Sequence, residues 1–229
     1  MKNTWMISCV ALLATANIGF CDETAAGIKT GAAEISRPAA VASGDAAVNV
    51  PTTGLRTWTV STAPIRPIKT AGVRNFGKLN ANIWRSGQPT REGYNLLASQ
   101  GLKTVVNLRA EFPQDKDLIP PGVQYIYIPI KDEHAPTQEQ AEQFIKAASD
   151  PANWPLLVHC HAGEGRAGTM AALVRCTLDK WNDTEVMKET NTFITTKVLG
   201  FKPPLANCQR QLIRKWESDA SESVSNVPG

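Results

Sequence analysis

Metal-binding residues are sparse in this chain. It holds three histidines and five cysteines in 229 residues, and only His159, Cys160 and His161 lie together. Adjacent residues at a strand end point in different directions, and no second Cys or His cluster completes a tetrahedral set, so composition argues against a zinc centre. Long apolar runs are also missing. The apolar stretch near the start is too short to favour a membrane-spanning helix. Excess charge of either sign is absent: a net charge of +3 names no nucleic acid or membrane surface as partner. Large apolar side chains are almost missing from residues 24–50, which cannot bury enough surface to offset the entropy of ordering. No internal repeat is present.

What is there divides by composition. Residues 1–21 carry Lys2 and then an apolar stretch, and the acidic pair Asp22-Glu23 follows, the pattern of a secretory signal peptide cleaved after Ala16 or Cys21. Phe20 is too large for the small residue that usually precedes a lipidated cysteine. The expectation is an exported protein, periplasmic or secreted, with no stable membrane insertion once the signal is removed. Residues 22–70 read as a flexible and extended segment, with Pro51, Pro64 and Pro67 around Trp58 and Ile65 suggesting an arm that packs in part on the domain. Residues 71–218 form the single folded domain, and 219–229 a polar, disordered tail.

Within the domain, Thr90 caps a helix over 90–100 that Gly101 stops, and Thr104-Val105-Val106 begins a strand. Another strand lies near 125–128, and Thr137 opens a helix with Phe144 and Ile145 as core candidates. A strand runs to His159, and helices follow Arg166, span 184–195 and span 205–216. Strands alternating with helices predict an α/β fold, a mainly parallel central sheet flanked by helices, with ligands at the carboxyl ends of the strands.

The run His159-Cys160-His161-Ala162-Gly163-Glu164-Gly165-Arg166 follows the apolar Pro155-Leu156-Leu157-Val158 and precedes apolar residues at helical spacing. It therefore sits at a strand-to-helix turn. A thiol attacks as its thiolate, and the N–H groups and positive dipole end of a helix favour both that anion and a bound phosphoryl group. The glycines let the backbone turn its amides inward. Arg166 offers a planar, permanently charged fork for two phosphate oxygens. Residues 161–166, namely His161, Ala162, Gly163, Glu164, Gly165 and Arg166, would cradle phosphate around the nucleophile Cys160. The thiolate, arginine and amides supply what a metal would otherwise give, so no cofactor is needed. Expulsion of an alkoxide or phenoxide needs a proton, hence a carboxylic acid on a loop nearby. Asp132, which opens a loop after the strand near 125–128, is the leading candidate, with Glu133 and His134 as rivals.

His-Cys-x-x-Gly-x-x-Arg resembles the signature of the cysteine-dependent protein tyrosine and dual-specificity phosphatases. Asn82-Ile83-Trp84-Arg85-Ser86-Gly87-Gln88-Pro89-Thr90 and Gly101-Leu102-Lys103-Thr104-Val105-Val106-Asn107-Leu108-Arg109 are similar to the opening of the small bacterial and fungal dual-specificity-like branch. The resemblance spans about residues 74–216. It implies a cysteinyl-phosphate intermediate, with Asp132 as general acid and later as base for the hydrolytic water. Ala167 departs from the pattern, which has Ser or Thr after the arginine to hydrogen-bond the departing thiolate. Breakdown of the intermediate is thus expected to be slow, with Ala167→Ser raising turnover; burst kinetics showing no accumulated phosphoenzyme would refute this. Thr169 is a candidate substitute hydroxyl.

Glu164 in the loop is expected to oppose highly charged ligands, while Arg85, Arg109 and Lys131 are candidates to line the cleft. The favoured substrate is phosphotyrosine or another protein phosphomonoester, with inositol phosphates as the alternative. A catalytically weak phosphate-binding module is a second class, and a sulfur-transfer loop a third that the sixth-position arginine disfavours. Signal removal leaves Cys160, Cys176 and Cys208; either Cys176 and Cys208 pair or both are free thiols.

Overall fold

The computed structural model describes residues 57–197 and 204–225, with side chains described through residue 219. The proposed signal peptide, the small-residue spacer and residues 226–229 of the tail lie outside the described residues. Six strands, β1 (Ile68–Thr70), β2 (Val73–Lys78), β3 (Ile83–Ser86), β4 (Thr104–Arg109), β5 (Gln124–Ile130) and β6 (Leu156–His159), make one sheet in the order β1-β2-β3-β6-β4-β5. The pairs β3–β6, β6–β4 and β4–β5 are parallel, and β1–β2 and β2–β3 antiparallel. The fold is the expected mainly parallel sheet flanked by helices, with an antiparallel flank at its N-terminal edge.

Among the described residues five α-helices complete it: α1 (Arg91–Ser99), α2 (Gln138–Ser149), α3 (Gly165–Val174), α4 (Asp183–Thr192) and α5 (Asn207–Ser225). Alternation along the central strands sorts the core into two layers. Trp84, Val105 and Leu157 face Tyr94 and Leu97 of α1, while Ile83, Val106, Leu156 and Val158 face Phe144 of α2 and Met170 and Leu173 of α3. Because β6 is covered on both faces, its four residues are all buried, and that is why Leu156-Leu157-Val158 reads as an unbroken apolar run before His159. Start signals are realised as hydrogen bonds: Thr90 accepts from Gly93 N–H, and Thr137 and Gln140 form a reciprocal capping box.

Three features differ from the sequence reading. The antiparallel strands β1 and β2 and the short β3 were not foreseen, because Val73-Arg74-Asn75-Phe76-Gly77-Lys78 and its neighbours mix polar residues and glycine into short runs. The folded domain begins before residue 71, since β1 joins the sheet, while residues 57–66 pack on the domain as expected of the arm, strapped across Arg175–Asp179, a π-helical continuation of α3. Asp179 accepts from Trp58 Nε1 (3.1 Å) and Ser61 N–H (3.0 Å), and Glu189 accepts from Ile65 N–H (2.8 Å). At the other end α5 continues past the expected stop at 216–218 to Ser225. Cys176 is a buried free thiol, so it forms no bridge with Cys208; burial pushes its pKa up to about 12.

Candidate active site

Cys160 follows the last residue of the central strand β6, at its carboxyl end, and the loop 160–164 delivers the chain into α3. The thiol is 3% exposed and accepts a hydrogen bond from Gly163 N–H at 3.3 Å. Gly163 has φ +75, and a Cβ there would lie 2.4 Å from Gly87 N, so both conformation and space require glycine. The first return bond of α3 runs from Gly168 N–H to Glu164 O. The N–H groups of Gly165, Arg166 and Ala167 therefore have no intrahelical acceptor, and the positive end of α3 faces the thiol. His161 is exposed, Ala162 and Gly165 half-buried, and Gly163 and Glu164 buried.

The loop carbonyls are held from behind. Asn75, at φ +53, donates from Nδ2 to Ala162 O (3.2 Å), Gly163 O (3.3 Å) and Phe193 O (2.7 Å). Fully buried Arg85 donates to Gly163 O (2.7 Å) and stacks over the Phe193 ring at 3.9 Å. Drawing carbonyls outward leaves amides free to turn inward. Arg85 thus lies beneath the loop and does not line the cleft. Burial pulls its pKa down to about 10, against the pull of Glu189 and Cys160.

Arg166 is 1% exposed, yet its fork reaches two carboxylates that are not. Nη1 and Nη2 donate to Glu111 at 2.8 and 3.0 Å, Nη1 also to Ile130 O at 3.0 Å, and Nη2 lies 3.1 Å from Asp132 Oδ1. The structure therefore brings Cys160, Arg166 and Asp132 into one site. Of the rivals to Asp132, Glu133 adopts a left-handed backbone (φ 61), and His134 turns its ring back to Asp132 O (2.8 Å). A cavity of about 370 Å³ opens here, lined by Ala110, Glu111, Lys131 and Asp132, so Lys131 does reach the cleft. Arg109 is spent on Glu111 (2.9 Å) and Gln88 (3.2 Å). Hydrogen bonding to Arg166 holds Glu111 down at a pKa of about 2.

Two expectations about the loop are corrected. Glu164 is not an unpaired acid at the rim: its Oε1 accepts from the N–H and hydroxyl of Thr195 (2.9 and 2.6 Å) and of Thr196 (2.9 and 3.1 Å). Burial alone would raise its pKa, but those donors bring it below the ordinary value. Its charge is consumed in pinning the 195–196 segment to the loop, so it carries little weight against anionic substrates. Thr169 donates its hydroxyl to Gly165 O (3.0 Å) and does not replace the hydroxyl missing at Ala167, which is fully buried.

Sequence reasoning missed Glu111, Asn75 and a buried cluster behind Cys160. His159 Nε2 lies 2.8 Å from Asp115 Oδ2, Tyr94 donates to the same carboxylate at 2.6 Å, and Gln88 Nε2 donates to its other oxygen. Burial alone would raise the Asp115 pKa, but His159, Tyr94 and Gln88 together lower it. Gln88 joins this cluster through Arg109 and Glu111 to Arg166. Both ends of the phosphate loop are thereby tied to the segment after β4. Nothing contiguous in the chain marks these pairings.

A thiol at a strand's carboxyl end, amides turned toward it and an arginine fork at the sixth position define a cysteine-dependent phosphatase site on a dual-specificity-like fold. The family model described as DSP-PTPase phosphatase fused to NAD+ kinase matches residues 63–202, and the chain belongs to that family. A Mycosarcoma maydis protein named as a tyrosine-protein phosphatase, OCA1, is 32% identical over 133 residues, 52% of this chain and 80% of that protein. NAD kinase 2 of Arabidopsis thaliana is 38% identical over 98 residues, 39% of this chain but only 10% of that protein. Among solved structures, Pseudomonas aeruginosa TpbA superposes with a TM-score of 0.55 at 19% identity, covering 70% of this chain and 98% of that one. The catalytic core of the Saccharomyces cerevisiae PP-IP phosphatase SIW14 gives 0.55 at 22%, covering 71% and 94%. These two similarities show the fold.

Proposed function

We propose that this protein hydrolyses phosphomonoesters through a cysteinyl-phosphate, with Cys160 as nucleophile, Arg166 and the loop amides as the phosphate cradle, and Asp132 as proton donor. The observation that carries this is the convergence of Gly163 N–H on the Cys160 sulfur at 3.3 Å with an Arg166 fork 3.1 Å from the Asp132 carboxylate. A phosphate dianion entering the loop competes for Arg166 with Glu111 and Asp132, and frees the Asp132 carboxyl for the leaving oxygen. The Cys160 thiolate then attacks phosphorus, the bond to the leaving oxygen breaks, and the Asp132 proton passes to that oxygen. In the second step the Asp132 carboxylate takes a proton from water, whose oxygen attacks phosphorus as the S–P bond breaks and the thiolate leaves.

Phosphotyrosine or another protein phosphomonoester remains the favoured substrate, in keeping with the name of the fungal relative. Inositol phosphates are the second reading, favoured by the SIW14 fold match and by the engagement of the Glu164 carboxylate with Thr195 and Thr196. Export to the periplasm or outside remains part of this proposal and rests on residues 1–21. No helix of the described residues is long and apolar enough to cross a membrane. Cys160→Ser should abolish hydrolysis while retaining phosphate binding; wild-type protein that binds phosphate but hydrolyses no phosphomonoester would instead mark a binding module. Side-by-side turnover of phosphotyrosine peptides and inositol phosphates decides the substrate class.

A further inference from the structure

We infer that a second anion-binding subsite lies beside the phosphate loop, between the β1–β2 hairpin and Thr195, and that it receives a carboxylate side chain flanking the phosphotyrosine of a peptide substrate. This rests on the phosphatase reading above. The cavity measures about 350 Å³, and Lys69, Thr70, Arg74, Asn75 and Thr195 are among its lining residues.

Its walls are one residue away from the phosphate loop. Arg74 O accepts from Gly87 N–H at 2.8 Å, and Gly87 sits so close to the loop that a Cβ on Gly163 would meet its nitrogen. Asn75 donates to Ala162 O and Gly163 O, and Thr195 donates to Glu164. An extended peptide advances about 3.3 Å per residue, so the side chain that enters this cavity would belong to a residue near the phosphotyrosine in sequence.

The charge in the cavity lacks an internal counter-ion. Lys69 and Arg74 are exposed, and among the described residues neither forms an ion pair. No Asp or Glu occurs between Asp45 and Glu92. The carboxylate on the loop side, Glu164, is already saturated by four donors. The hairpin is also held in place: Gly72 turns it at φ 68, and Thr90 N–H donates to Gly72 O at 2.8 Å. The cations are therefore presented on a fixed frame.

A peptide fits this site better than a compact polyphosphate because β1 is, among the described residues, an edge strand of the sheet. Its outer side offers backbone N–H and C=O groups to an extended chain, and alternate side chains of that chain would fall into the cavity. Exposed pairs of this kind steer and select more than they bind.

The test compares wild type with Lys69→Glu/Arg74→Glu on p-nitrophenyl phosphate and on phosphotyrosine peptides whose flanking residues are Glu, Ala or Lys. Wild type is expected to favour the acidic peptides by about three- to tenfold in KM, an advantage that shrinks with added salt. The double variant should lose or reverse that order with p-nitrophenyl phosphate turnover unchanged. Equal KM values for acidic and neutral peptides in the wild type overturn the inference, as does an equal loss on p-nitrophenyl phosphate, which would mean a disturbed loop. Inositol hexakisphosphate added as competitor distinguishes the other occupant: if the double variant weakens only its inhibition, the cavity holds a small polyphosphate and the peptide subsite is refuted. If wild type hydrolyses nothing, the phosphatase reading fails instead, and calorimetric binding of the same peptides must still show the acidic preference for the subsite to stand.

Discussion

Arg166 and Arg175 lie on one continuous helical segment, both are buried, and each is gripped by two carboxylates, yet they do opposite things. The partners of Arg166 are Glu111 and Asp132, whose side chains are 43% and 71% exposed. Those of Arg175 are Asp179 and Glu189, at 0% and 3% exposure, joined at 2.7 Å each. Arg175 also stacks over the Trp181 ring at 4.2 Å, and its two carboxylates accept from Trp58, Ser61 and Ile65 of the N-terminal strap. Exposed carboxylates are already solvated, so an incoming phosphate can displace them at small cost. Buried ones cannot leave without stranding a charge. A cation's role is thus set by whether its partners can be exchanged.

The sharpest break of that comparison is Arg175→Met. It leaves Asp179 and Glu189 buried without their cation and should lower stability by about 3–5 kcal/mol, read as a shift in denaturant midpoint at unchanged m-value. Turnover per folded molecule should stay near wild type, and a large loss there would show that the strap network shapes the phosphate loop. Arg166→Lys should do the reverse: a roughly 10²–10³-fold loss of kcat, with a small change in midpoint because its exposed partners return to water. Asp132→Asn follows, with about a 10²-fold loss of kcat on alkyl or phenyl phosphates and a smaller one on p-nitrophenyl phosphate, whose leaving group needs less protonation. An equal loss on both would remove Asp132 as proton donor and make it a positioning residue.

The smallest effect concerns pH. Arg166 holds Glu111 at a pKa of about 2 rather than 4.5, so their interaction is complete above about pH 4.5 and is lost as pH falls toward 2. An anion that takes Arg166 returns Glu111 toward its ordinary value, so binding is linked to proton uptake in that window. Sulfate, which keeps its charge over most of it, should bind more tightly as pH falls from 4.5 toward 2, and Glu111→Gln should flatten the dependence. A slope that persists in Glu111→Gln would mean Glu111 is not the displaced partner.

The phosphate loop was legible in the chain because its working parts are contiguous: thiol, glycines and arginine lie within one turn between a strand and a helix. Part of the parallel core was legible for a related reason, since Leu156-Leu157-Val158 of β6 and Val105-Val106 of β4 are apolar and buried on both faces; β3, equally buried, was missed because it carries Arg85 and Ser86. Glu164 shows where such reading stops. Its acidity is plain from the sequence, but whether that charge faces a ligand depended on Thr195 and Thr196, some thirty positions away. The same holds for Glu111, Asp115 and Asn75, polar residues of ordinary appearance whose partners come from other strands and loops.

Local covalent order by itself determined which groups the proposed chemistry draws on: the Cys160 thiol, the Arg166 fork, and Gly163 as the turn that aims an amide at sulfur. Only the tertiary structure decided which charges are available. Burial and hydrogen bonds between segments distant in sequence consume Glu164, Asp179 and Glu189 and leave Asp132, Lys69 and Arg74 open to solvent. Charge is written residue by residue, whereas desolvation belongs to whatever the fold packs around it.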